Sequence, residues 1–207
     1  MSPRSAAANQ QIKDARREAL LVAARHVFAR NGLAASRVSD IAAEAQVSQG
    51  LVYHYFPNKE ALFAEIVEGA LRETARLAAV ALEQPGSAWQ RLEYLCAQML
   101  AGVREEPEYV LVILQAFTSE AAPERARIAV AHYGRQTFTD ILGLIAQGQA
   151  EGSVGDGDPV ELALAFTACI QGVALGRLQN HSSDDGPFPQ PGTVLRLLQA
   201  WPRDHPA

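Results

Sequence analysis

Apolar residues recur at spacings of three and four along nearly the whole chain, and the alternating runs that a half-buried strand needs are scarce. That periodicity predicts an all-α fold. Leu20, Ala23, Ala24, Val27 and Phe28 share one face of a first helix, expected over 12–31, with Gly32 at its C-terminal cap. Ile41, Ala42 and Ala45 mark a short second helix over 38–45. Ser48 is placed to cap a third over 49–56, which Pro57 stops. Asn58 caps a long fourth helix over 59–83. Past the break at Pro85-Gly86, helices are expected over 88–104, 108–119, 123–151, 159–180 and 193–201.

Composition removes several classes of function. With 207 residues, 48% hydrophobic and 20% charged, the chain can bury a core and is not a disordered segment. Its two cysteines are far apart in sequence, and its five histidines are scattered without metal-ligand spacing. Neither a disulfide framework nor a metal site is expected, and no cofactor. The sequence lacks a glycine-rich phosphate loop, a nucleophile elbow, a paired-histidine zinc motif and a dinucleotide fingerprint, so no enzyme is expected. No run of 18 apolar residues occurs, and the N-terminus turns polar where a signal peptide needs an apolar stretch. No membrane partner and a cytoplasmic location are expected.

Charge is unevenly spread. The net charge is −5, yet residues 1–60 carry eight basic groups against five acidic ones. A basic end on an acidic body suits a local polyanion site. In the same segment the two short helices are separated by a turn of three or four residues, which is helix-turn-helix spacing. The second of them would enter the DNA major groove.

The residues themselves sharpen this. Gly32, Asp40-Ile41-Ala42, Val47-Ser48, Gly50, Tyr53, Tyr55-Phe56, Lys59-Glu60 and Leu62 match, in register, the pattern of the N-terminal domain of the TetR/AcrR family of transcriptional repressors. The resemblance is specific over about 12–75 and architectural beyond. It implies a helix-turn-helix DNA-binding domain over 12–58, with the helix over 59–83 connecting it to a helical effector-binding and dimerisation domain over 84–201. It implies a homodimer that binds palindromic double-stranded operator DNA and is released by a small-molecule effector of unknown identity. A non-catalytic helical adaptor, or an activator of the same fold, is the alternative.

By the resemblance, Ser39, Gln49, Leu51 and His54 face the bases, and Tyr53 and Tyr55 face the DNA backbone. Lys59 matches the family's phosphate-clamping lysine, and Ser48 lies at a helix start that suits phosphate. Gly50 lets the helix backbone approach DNA closely. Arg37 stands where the family has Thr, which leaves the cap of the second helix open, with Ser36 as a substitute, and bears on operator preference. Structural alternatives remain: Tyr53 as partly core, His54 as a solvated surface group.

In the second domain the resemblance implies an effector pocket, for which Trp89, Tyr94, Met99 and Tyr109 are candidates, with Phe117, Tyr133, Phe138 and Phe166. Any one of these is more often core than pocket lining. Between Leu162 and Gly176 there is no charge, and apolar groups lie all round, so the helix is expected to be buried on several sides. Its small or apolar residues Ala163, Ala168, Gly172 and Leu175 are candidates for a four-helix dimer interface, as the resemblance implies.

Overall fold

A computed structural model describes residues 3–179 and 187–200, with side chains from residue 8 onward. Trp201, Asn180 and the loop residues 181–186 of the expected elements lie outside the described residues. The described chain is helical, without a strand beyond one isolated bridge between Val154 and Gln199.

Helix α1 is Pro3–Ala35, broken at Gly32, where φ is +75°. It begins earlier than expected because its first turns are rich in alanine but have no apolar face, so periodicity does not register them. Helices α2 (Val38–Glu44), α3 (Gln49–Tyr55) and α4 (Lys59–Glu83) follow. Then come α5 (Ala88–Glu105), α6 (Glu108–Thr118) and α7 (Glu124–Ala129), which runs through a π-turn, Val130–Gly134, into α8 (Arg135–Ala150). The expected single helix over 123–151 is thus interrupted by a wider turn. Helices α9 (Pro159–Gln179) and α10 (Pro191–Leu195) follow, the latter opening on a proline, which suits a first turn, and tightening into a 3-10 turn, Arg196–Leu198, where a continuous helix over 193–201 is expected.

The chain forms two compact units. The first takes the residues up to Ala70 together with Leu111–Ile128. Its core holds Leu20, Ile41, Val52 and Leu62, with the Phe28 and Phe63 rings edge to face at 5.4 Å. Two hydrogen bonds from Gln115 bracket the break in α1: its Nε2 donates to the Phe28 carbonyl (2.9 Å), and its Oε1 accepts from the Leu33 N–H (3.1 Å).

The second unit takes Leu71–Val110 and the chain from Ala129 on. Helices α5, α8, α9 and α10 enclose Leu92, Leu95, Ile141, Leu144, Ile145, Phe166 and Leu195. The Ala88 N–H donates to Glu151 (2.8 Å) and Arg91 to Gln147 (3.4 Å), which sets α5 and α8 antiparallel. At Gly148 a Cβ would meet Val154 Cγ2 at 2.4 Å, so only glycine lets the 151–155 turn close onto α8.

Helix α9 departs from expectation. It turns Ala163, Phe166, Ile170 and Ala174 inward and leaves Val160, Leu164 and Leu175 exposed. It is covered on one side rather than several. Ala163 is fully buried within its own unit and cannot meet a second chain, because it lies on the inward stripe with Phe166 and Ile170. Ala168, Gly172 and Leu175 lie on the outward side. With 21 residues and a mean hydropathy of 1.5 over its most apolar stretch, only 22% of it buried, α9 meets the length and composition of a membrane span. It contains no unbroken apolar run of 18 residues, because Thr167 and Gln171 interrupt the stretch and Glu161 and Arg177 bound it. Both cysteines are free. Burial pushes the Cys96 thiol up to about 12, with the charge of Cys169 adding to it.

Candidate nucleic-acid interface

The helix expected to carry the base-facing residues is α3, and local chemistry fixes its start. Ser48 is extended, and its Oγ accepts the Leu51 N–H at 3.2 Å. Val52 and then Phe56 point into the core, so the opposite face, Gln49, Gly50, Tyr53 and His54, is exposed. Tyr53 is 54% exposed and is therefore not a core residue. Leu51 and Tyr55 flank this face half-buried, and the His54 and Tyr55 rings meet edge to face at 5.2 Å. A Cβ at Gly50 would meet nothing nearer than Ser48 Oγ at 3.9 Å, so the fold itself does not demand glycine there.

The turn into α3 runs through Gln46, a non-glycine residue at φ +56°. Helix α2 is capped from within: Asp40 Oδ2 accepts the Arg37 N–H at 2.9 Å. Ser36 does not cap it. It is buried, and its hydroxyl donates back to the Gly32 carbonyl at 2.6 Å, closing the end of α1. Ser39 is half-buried and donates to Asp40 Oδ1 at 3.4 Å. Arg37 stays exposed at the helix start.

Lys59 Nζ donates to three backbone carbonyls, of Leu33 (2.8 Å), Ala34 (3.0 Å) and Ser36 (2.8 Å). The ammonium thus sits where the last carbonyls of α1 gather negative partial charge. A phosphate here would share a charge already held by the protein. Other cations nearby are also tied: Arg30 pairs with Glu44 at 2.5 Å, and Arg17 pairs with Glu65 while lying 5.0 Å over the Phe56 ring. The Arg30 hydrogen bond holds the Glu44 carboxyl below its ordinary range, against a smaller opposing effect of burial, with His26 assisting.

The other candidates scatter. Tyr94, Met99 and Phe138 are half-buried against the core of the second unit, as is Trp89, whose indole N–H donates to Glu93 at 3.0 Å. Tyr109 and Tyr133 are half-buried in the same unit. Phe166 is fully buried core. Phe117 belongs to the first unit and is 55% exposed, because α6 turns Val112 and Ala116 inward. No local pattern announced Gln115, whose partners lie 82 and 87 residues away.

The family model for bacterial regulatory proteins of the tetR family matches residues 20–66, which spans the second half of α1, α2, α3 and the start of α4. The HTH-type transcriptional regulator BetI of Agrobacterium fabrum is 29% identical over 127 residues, 61% of this chain and 62% of that regulator's length. The chain thus spans less than two thirds of that relative. The HTH-type transcriptional repressor KstR2 of Rhodococcus jostii is 44% identical over 59 residues, 28% of this chain and 29% of the repressor. Among solved structures, AibR in complex with isovaleryl coenzyme A and operator DNA superposes with a TM-score of 0.73 at 18% identity. It covers 90% of this chain and 100% of that one.

Proposed function

Because residues 20–66 match the model of the tetR family of bacterial regulatory proteins, we propose that the chain is a transcriptional repressor of that family that binds palindromic operator DNA as a homodimer and is released by a small molecule. The observation that carries this is the exposed face of α3, held on a capped helix against a buried Val52 and Phe56. Gln49 and His54 read base edges, with Leu51 and Ser39 at the rim, and Tyr53, Tyr55, Ser48 and Arg37 meet the backbone. Lys59 holds the end of α1 in place and lends its charge to the phosphate path. The operator-binding domain is 12–58, α4 connects it, and 84–201 is the effector and dimer domain.

The apolar side of α9, with Leu164, Ala168, Gly172 and Leu175, is the surface for a second copy. A helix with one apolar side in water needs a partner, and a two-fold dimer matches a palindromic site. No catalytic role is assigned, and the working compartment is the cytoplasm, where operator DNA is.

Selection of bound duplexes from a random pool at fixed salt tests the reading. A near-palindromic consensus is expected. Gln49→Ala and His54→Ala should change that consensus, whereas Tyr53→Phe should weaken all sequences alike. Recovery of no consensus, or of one unchanged in both base-reading variants, overturns it.

A further inference from the structure

In the second unit a carboxylate is buried without its full set of partners. Asp140 on α8 is 8% exposed; its Oδ1 accepts from Gln136 at 3.0 Å, and its Oδ2 is shielded from solvent with no hydrogen-bond partner among the described residues. No ion pair reaches it among the described residues. Such a group is costly, because an ionised oxygen loses its water and gains nothing in return. Gln136 offers one oxygen a neutral donor and leaves the other oxygen unmatched.

Asp140 continues a polar stripe on the inward side of the helix: Tyr133, Thr137 and Asp140 stand at helical spacing, and Thr137 is buried with its hydroxyl on the Tyr133 carbonyl at 3.0 Å. Tyr133 lies in the π-turn Val130–Gly134, a widening that is common at functional positions. Two turns beyond Asp140, on the same side of the helix, Gln147 meets Arg91 of α5. Tyr94 and Met99 on α5 and Phe138 on α8 are half-buried against the same core.

We propose that Asp140 anchors the effector within the second unit and that the effector is an organic cation with an apolar or aromatic body. A buried negative charge is matched by a positive one, whereas a hydroxyl would satisfy the oxygen and leave the charge. The inference rests on the ligand-responsive reading above and gives that ligand its chemistry.

Calorimetric titration of the full chain without DNA, using 4-phenylbutylamine, 4-phenylbutanol and 4-phenylbutyrate, tests it. These probes share one body and differ in the head group. The amine should bind at least about tenfold tighter than the acid, the scale of one charge-assisted hydrogen bond. The isosteric Asp140→Asn should erase that preference. Equal affinities of amine and acid, no measurable binding of the amine, or undiminished amine binding by Asp140→Asn overturns the proposal. Thermal unfolding without ligand is the second measurement. Asp140→Leu should raise the midpoint by about 2–4 °C, since it removes an unmatched buried charge. A fall would make Asp140 a structural group and overturn the assignment. Failure of operator binding would appear only in the duplex selection, so the two readings fail separately.

Discussion

Gly50 is the residue at which fold and function part most cleanly. Its position on α3 is open, so a methyl group meets no protein atom closer than 3.9 Å. Gly50→Ala should therefore leave the unfolding midpoint unchanged or slightly raised, because alanine is the better helix former. If the exposed face lies against DNA, the same methyl should cost about 1–3 kcal/mol of operator affinity. Melting curves and titrations on one preparation check both halves. Gln46 makes the opposite case. Its left-handed backbone carries a Cβ penalty, so Gln46→Gly should stabilise the chain by about 1 kcal/mol in a denaturant titration. Lys59 combines the two roles. Its three bonds to the end of α1 mean that Lys59→Ala should lower stability by about 1.5–3 kcal/mol. Binding must then be compared well below the midpoint.

At the scale of elements, two junctions carry predictions. The 151–155 turn closes on α8 through Gly148, where the Ser153 and Val154 N–H groups donate to its carbonyl. Gly148→Ala places a methyl against Val154 and should destabilise by about 1–3 kcal/mol, the usual cost of overpacking, as read by thermal unfolding. Helix α2 is tied to α1 by Glu44, which meets Arg30 and His26. A carboxyl held below its unfolded value stabilises the native state above the unfolded pKa, and that contribution is lost as pH falls through the folded value. Glu44→Gln should be less stable than the parent near neutrality, and the gap should close in acid. Paired melts across the acidic range check the sign. The contribution is small because the pair is largely solvated.

For the whole molecule, the predictions concern assembly and coupling. Leu164 is 56% exposed, so Leu164→Glu should leave the fold intact. If the apolar side of α9 holds the dimer, that variant should sediment as a monomer and lose palindrome binding. A parent that is itself monomeric would remove this reading. Effector and operator should oppose each other by the same factor, because coupling between binding free energies is reciprocal. A coupling of about 1–3 kcal/mol would be ordinary. It is checked by titrating one ligand with and without operator.

Much of this was legible in the residues alone, for local reasons. Helix periodicity, the Ser48 cap, the proline stops and the motif around α3 are decided within a few residues of chain, so the helical class and the start of α3 could be derived without coordinates. The tertiary structure decided the rest. Periodicity does not say which side of an uncharged helix turns inward, and so it predicts α9 buried on several sides and offers Ala163 to a partner. A motif could not show that Lys59 spends its donors on carbonyls 23 to 26 residues away. Nor could it show that Asp140 is buried with one oxygen unmatched. Those facts depend on which distant segments exclude water from a side chain, and burial of that kind is a property of the packed chain rather than of its neighbours in sequence.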